Sequence, residues 1–182
     1  MKTLFKTVCL CLCALCLLAA LPSCGILKSV IYGLDYDLGI PKGYISKVEN
    51  MEKDAFQDST DFCIYVYPEG TDIFEKDGAY RALTAPAGPN DENKQPVDEI
   101  AAMDALFTDF ERFLALDEER AKDFDFDHAC ISAGDLYRVV KTTSQEGLPE
   151  DPVKAGGTSI DGYSIWFFDK ESSTLYYIHA NT

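Results

Sequence analysis

Apolar residues between Ile100 and Leu114 recur at steps of three and four. Ile100, Met103, Phe107, Phe110 and Leu114 form the stripe, and Leu106 and Phe113 widen it. This spacing predicts a helix from Pro96 to about Leu116 with one buried side. Pro96 suits a first helical position, and Asp98 and Glu99 suit the positive end of the helix dipole. The charged run 117–122 reads as an extension or fraying of its end. Elsewhere the pattern has the two-residue period of strands. Phe62-Cys63-Ile64-Tyr65-Val66-Tyr67 is β-branched and aromatic, and Pro68-Glu69-Gly70 stops it. Tyr44–Met51 alternates more weakly, and Leu136–Thr142 reads as a further strand. Tyr163–Phe168 and Leu175–His179 flank the turn-like Asp169–Ser173, which predicts a hairpin. Thr84–Pro96 and Thr143–Ser159 are rich in Pro, Gly and polar residues and read as loops. The expected fold is α+β: an antiparallel sheet of about four or five strands with one long amphipathic helix packed on one face.

The first residues follow a different pattern. Lys2 and Lys6 precede an uncharged run, Val8 to Leu21, which ends at Leu21-Pro22-Ser23-Cys24-Gly25. The run is shorter than the roughly 18–20 residues that a spanning helix needs. A charged start, an apolar stretch and small residues at its end form a secretory signal. The segment 1–24 resembles a bacterial lipoprotein signal peptide, with Leu21, Ser23 and Cys24 at the matching positions and Pro22 in place of the usual small or β-branched residue. The resemblance implies cleavage before Cys24 and a diacylglycerol on its sulfur, with palmitate-type acyl chains anchoring the protein in a lipid bilayer. The domains are then a signal peptide (1–23), a lipid-anchored Cys with a short membrane-proximal segment (24–43) and one globular α+β domain (44–182). The expected location is the outer face of the bacterial cell membrane, or a periplasmic or outer-membrane leaflet in a Gram-negative cell. Within 24–43, Ile26, Leu27, Val30, Ile31 and Leu34 have roughly helical spacing, which Gly39, Pro41 and Gly43 break.

Charge narrows the partners. The chain carries 31 acidic and 16 basic residues, a net charge of −15. Removal of residues 1–23 takes Lys2 and Lys6 and no acid, leaving −17. Such a surface repels nucleic acid, so no nucleic-acid partner is expected. Of the seven cysteines, Cys9, Cys11, Cys13 and Cys16 belong to the signal and Cys24 to the anchor. Cys63 and Cys130 remain. Outside the cytoplasm they either form a disulfide or stay as two separate buried thiols.

Candidate chemistry is sparse. Asp123-Phe124-Asp125-Phe126-Asp127-His128 opens like an EF-hand loop, but His128 stands at position six and Gly134 at position twelve, so the loop pattern fails. Asp123, Asp125 and Asp127 remain weak candidates for a looser cation site, against the plainer reading of solvated acids beside an apolar edge. His128 and His179 lack zinc-site spacing, and no metal or cofactor is expected. The chain has no G-x-S-x-G, S-x-x-K or Walker motif, and Gly156-Gly157-Thr158-Ser159 reads as a flexible linker. Six strand aromatics are more suggestive: Tyr65, Tyr67, Tyr137, Trp166, Phe168 and Tyr176. One sheet face packs the helix. The other exposes an aromatic binding surface unless a segment such as 25–60 covers it. The expected function is a non-enzymatic lipoprotein that binds a protein, peptide or envelope glycan. The alternative is a hydrolase of envelope polymers working through an acidic pair or a His128-centred site.

Overall fold

Alternation along the chain becomes alternation across a sheet. The structure is a computed structural model that describes residues 34–51, 59–86 and 97–181. The signal segment, Cys24 and residues 25–33 of the membrane-proximal segment lie outside the described residues. The chain divides into two units, residues 1–42 and 43–182. In the first, α1 (Leu34–Asp37) is followed by Gly39 at φ 67°, where the helical spacing was expected to break.

The second unit is mixed α+β, with six antiparallel strands: β1 (Ser46–Asn50), β2 (Ser59–Val66), β3 (Arg81–Ala82), β4 (Leu136–Lys141), β5 (Tyr163–Asp169) and β6 (Thr174–Asn181). Their spatial order is β1-β2-β6-β5-β4-β3. The sheet therefore exceeds the expected four or five strands. The extra one is β3, whose two residues pair with Tyr137 and Leu136. Two residues are too few to carry a period.

The main helix, α3 (Glu99–Leu114), has sixteen residues and starts later than the sequence suggests. Asp98 is its N-cap, accepting from the Ala101 amide at 3.1 Å. It does not continue through 117–122. Asp117 instead caps a separate turn, α4 (Glu118–Ala121). Two further short helices are α2 (Ile73–Lys76), in a stretch to which the sequence assigns no element, and α5 (Pro152–Ala155), inside the expected loop Thr143–Ser159. Thr143–Ser159 is thus not an uninterrupted loop. Gly156, at φ 67°, caps α5, and the Ile160 amide donates to Asp109 at 3.0 Å. These contacts replace the flexible linker expected at Gly156–Ser159.

The α3 stripe packs on one sheet face. Met103, Leu106, Phe107, Phe110 and Leu114 share a core with Phe62, Ile165, Phe167, Ile178 and Ala180. Phe107 stacks on Phe126 at 3.9 Å between ring centres, and Phe124 meets Phe62 at 5.0 Å. Phe124 and Phe126 therefore point inward, as their alternation predicts, although the segment belongs to no strand. No helix among the described residues is long and apolar enough to cross a membrane.

Candidate functional site

The cross-strand registers sort the six aromatics. Tyr137 pairs with Phe167, and Phe167 with Tyr176, which puts all three on the α3 side. Trp166 pairs with Tyr177 and Phe168 with Leu175 on the opposite, outer face, along with Tyr65. Tyr67 joins this face through Phe168 at 6.3 Å. The expected single platform is therefore split four to two. It is also covered: of the six only Tyr176 is more than slightly exposed. The physical reason is the pleat, since adjacent strand positions cannot share a face.

Part of the cover is visible. Tyr44 meets Tyr65 at 5.1 Å and Tyr67 at 6.2 Å, edge-on. Phe74 of α2 lies 4.3 Å from Phe168 and 5.1 Å from both Tyr67 and Tyr80. Residues 73–80 thus close one end of the outer face, together with Tyr44 from the expected 25–60 segment. β1, also from that segment, lengthens the sheet edge instead.

Beside this cover is a group of donors. Arg138 of β4 stands opposite Trp166 of β5, and its guanidinium carbon lies 4.5 Å from the Trp166 ring centre. Among the four arginines, Arg81 bonds Asp151 at 2.7 Å, Arg112 bonds Asp109 and Arg120 bonds Asn50 at 2.7 Å. Among the described residues Arg138 has no hydrogen bond or ion pair. The Trp166 indole N–H and the Tyr80 hydroxyl are buried and also lack partners among the described residues. Burial holds the Tyr80 phenol well above its ordinary pKa, against the opposing pull of the Arg138 charge. No sequence pattern singled out Arg138 or Tyr80. The one hint was an arginine alternating with apolar residues inside a strand.

Further along the outer face, Ser164 Oγ lies 3.1 Å from His179 Nδ1 and 3.3 Å from the Tyr177 hydroxyl. The same Nδ1 lies 3.0 Å from the Tyr163 carbonyl oxygen. A carbonyl only accepts, so Nδ1 carries the proton and cannot take one from Ser164. This geometry makes His179 a structural donor instead of a base for a serine nucleophile.

His128 bridges two carboxylates of α3, with Nδ1 2.6 Å from Asp104 and Nε2 3.1 Å from Glu111. Desolvation pulls its pKa down, but the two hydrogen bonds and their charges outweigh this and raise it. Two carboxylate acceptors require two ring donors, so the imidazolium is the form that fits. Asp104 also borders a shallow groove of about 530 Å³, with Thr108, Asp109, Arg112, Thr158 and Ser159.

The weak cation candidates are placed apart from one another in role. Asp123, Asp125 and Asp127 are exposed, and Asp127 caps the 3₁₀ turn His128–Cys130 by accepting from the Ala129 amide at 2.9 Å. No group of three His, Cys, Asp or Glu side chains among the described residues is arranged to hold a metal ion. Cys63 and Cys130 are both free. Cys63 pairs with Tyr177 on the outer face, whereas Cys130 packs against the core on the α3 side. The sheet lies between them, so the disulfide left open by the sequence does not form. Burial pushes both thiols up to about 12, helped at Cys130 by Asp169, Asp135 and Asp127.

Comparison with known proteins gives no match to a family model, a curated protein or a solved structure.

Proposed function

We propose that this protein is a lipid-anchored, extracytoplasmic binding protein without a catalytic step of its own. Its ligand is a protein, peptide or glycan of the cell envelope, engaged at the β4–β5 end of the outer sheet face. The observation that carries this reading is the guanidinium of Arg138, which lies over Trp166 with no acceptor of its own among the described residues. A stacked arginine presents a fixed fork of donors to a partner and needs no chemistry of its own. The hydrolase reading has less support. His128 is held by two carboxylates, His179 gives its Nδ1 proton to a carbonyl, and both thiols are kept protonated by burial. Among the described residues, both histidines and both thiols are committed to the fold.

Two measurements test the proposal. Cys24→Ser is expected to move the protein from the membrane fraction to the soluble fraction and to abolish labelling by radioactive palmitate. Retention in the membrane fraction would refute the anchor. The full chain in detergent micelles, titrated with solubilised envelope glycan and peptide fractions, is expected to bind through the outer face. Binding that survives Arg138→Gln and Trp166→Phe undiminished, in folded protein, would place the ligand elsewhere.

A further inference from the structure

We propose that Arg138, Trp166 and Tyr80 form a recognition site for an oxyanion, a carboxylate or phosphate group carried by the ligand. The inference deepens the binding reading above by naming the chemical group that the face selects.

Three observations meet at one place. First, Arg138 is half-buried and has no acceptor among the described residues, in a chain where acids outnumber bases by almost two to one. The other three arginines all have acceptors. Random pairing would find Arg138 a carboxylate more easily than in an ordinary protein. Second, the Trp166 N–H and the Tyr80 O–H are both more than nine-tenths buried and unpaired. Buried polar groups without partners are rare because each forfeits its hydration, and they call for a missing acceptor. Third, the three groups are neighbours. Arg138 lies over Trp166, and Tyr80 directly precedes Arg81, whose antiparallel partner Tyr137 directly precedes Arg138. All three are donors, the guanidinium half-exposed and the other two with their polar atoms closed off from solvent. What the patch lacks is a compact group of acceptor oxygens with negative charge. Stacking on the indole face fixes the guanidinium plane and leaves its N–H edge for such a group.

The nearby acids do not supply it. Glu150 and Asp151 border a cavity of about 100 Å³ together with Arg138 and Arg81. Asp151 is held by Arg81 at 2.7 Å and by the Tyr137 hydroxyl at 3.2 Å, and Glu150 makes no bond to Arg138. Glu150 instead opposes an incoming anion through space.

Trp166 is the only tryptophan of the chain, so its emission reports on the site directly. The full chain in detergent micelles would be titrated with acetate in one series and inorganic phosphate in another, with chloride at matched ionic strength as the control. A saturable emission change with at least one oxyanion, absent with chloride, is expected. The series that saturates at lower concentration identifies the class of group. Arg138→Gln is expected to weaken the response by about tenfold or more, as loss of a charged hydrogen bond requires. Tyr80→Phe should weaken it less. Glu150→Gln, an exposed substitution that leaves the fold intact, should strengthen it. An identical response to acetate, phosphate and chloride in the unsubstituted protein overturns the site. So does an oxyanion response that Arg138→Gln and Glu150→Gln leave unchanged. If oxyanions bind here but envelope fractions bind independently of Arg138, the site stands and the proposed function fails.

Discussion

His128 shows how much one side chain can link. It ties the Asp123–Cys130 segment to α3 through Asp104 and Glu111. Its pKa is raised in the folded chain, so its stabilisation is fully present below the ordinary imidazole value and is lost as pH rises through the folded one. Thermal melts across pH 5 to 9 should show stability declining as pH rises above the ordinary imidazole value, and His128→Gln should remove that decline. An equal decline in the variant would assign it to another group. Tyr80 makes a different prediction. Its hydroxyl is buried and unpaired, so without ligand Tyr80→Phe should be neutral or stabilising by up to about 1 kcal/mol. Chemical denaturation of the ligand-free protein checks this, and a loss of stability would mean that the hydroxyl has a partner. Neither effect was legible in the sequence, because both depend on which side chain faces which. The sequence identified Trp166 and the Asp123–Asp127 run by residue type. It could not show Arg138 lying on that tryptophan, since that contact depends on the β4–β5 register.

At the scale of elements, the periodic signals were reliable and the short elements were not. The α3 stripe and the five longer strands were legible because burial of one face imposes a period over many residues. β3, α2 and α5 have two to four residues each and are held by tertiary contacts, so no local pattern encodes them. α2 matters most for the site. Its Phe74 covers the aromatic face that the sequence had left open. Stability should follow the same division. Phe107→Ala, in the centre of the stripe, should cost about 3–5 kcal/mol, whereas Leu116→Ala, 86 % exposed beyond the helix end, should change stability by less than about 0.5 kcal/mol. Urea denaturation distinguishes the two. Gly162 marks an element boundary of another kind. It precedes β5 at φ 81°, and an added Cβ would lie 2.4 Å from Thr143 Cγ2. Gly162→Ala should therefore destabilise by at least about 1 kcal/mol from backbone strain alone.

At the scale of the molecule, the sheet separates two chemical environments. Cys63 and Cys130 lie on opposite sides of it, each with its thiol pushed up to about 12. Both should react with iodoacetamide far more slowly in the native protein than in the urea-unfolded one, and reducing agent should leave the melting temperature unchanged. A melting temperature that falls on reduction would require the two thiols to be joined. The strand order has a consequence in time. β6 lies between β2 and β5, and its partners in β2 are more than a hundred residues earlier in the chain. Until residue 181 has emerged from the ribosome, β1–β2 and β3–β4–β5 are two sheet fragments with no strand to join them. Pairing over such separations is slow. The sheet of a nascent chain therefore stays open in the middle until β6 has been made, and only then can its two edges be locked together.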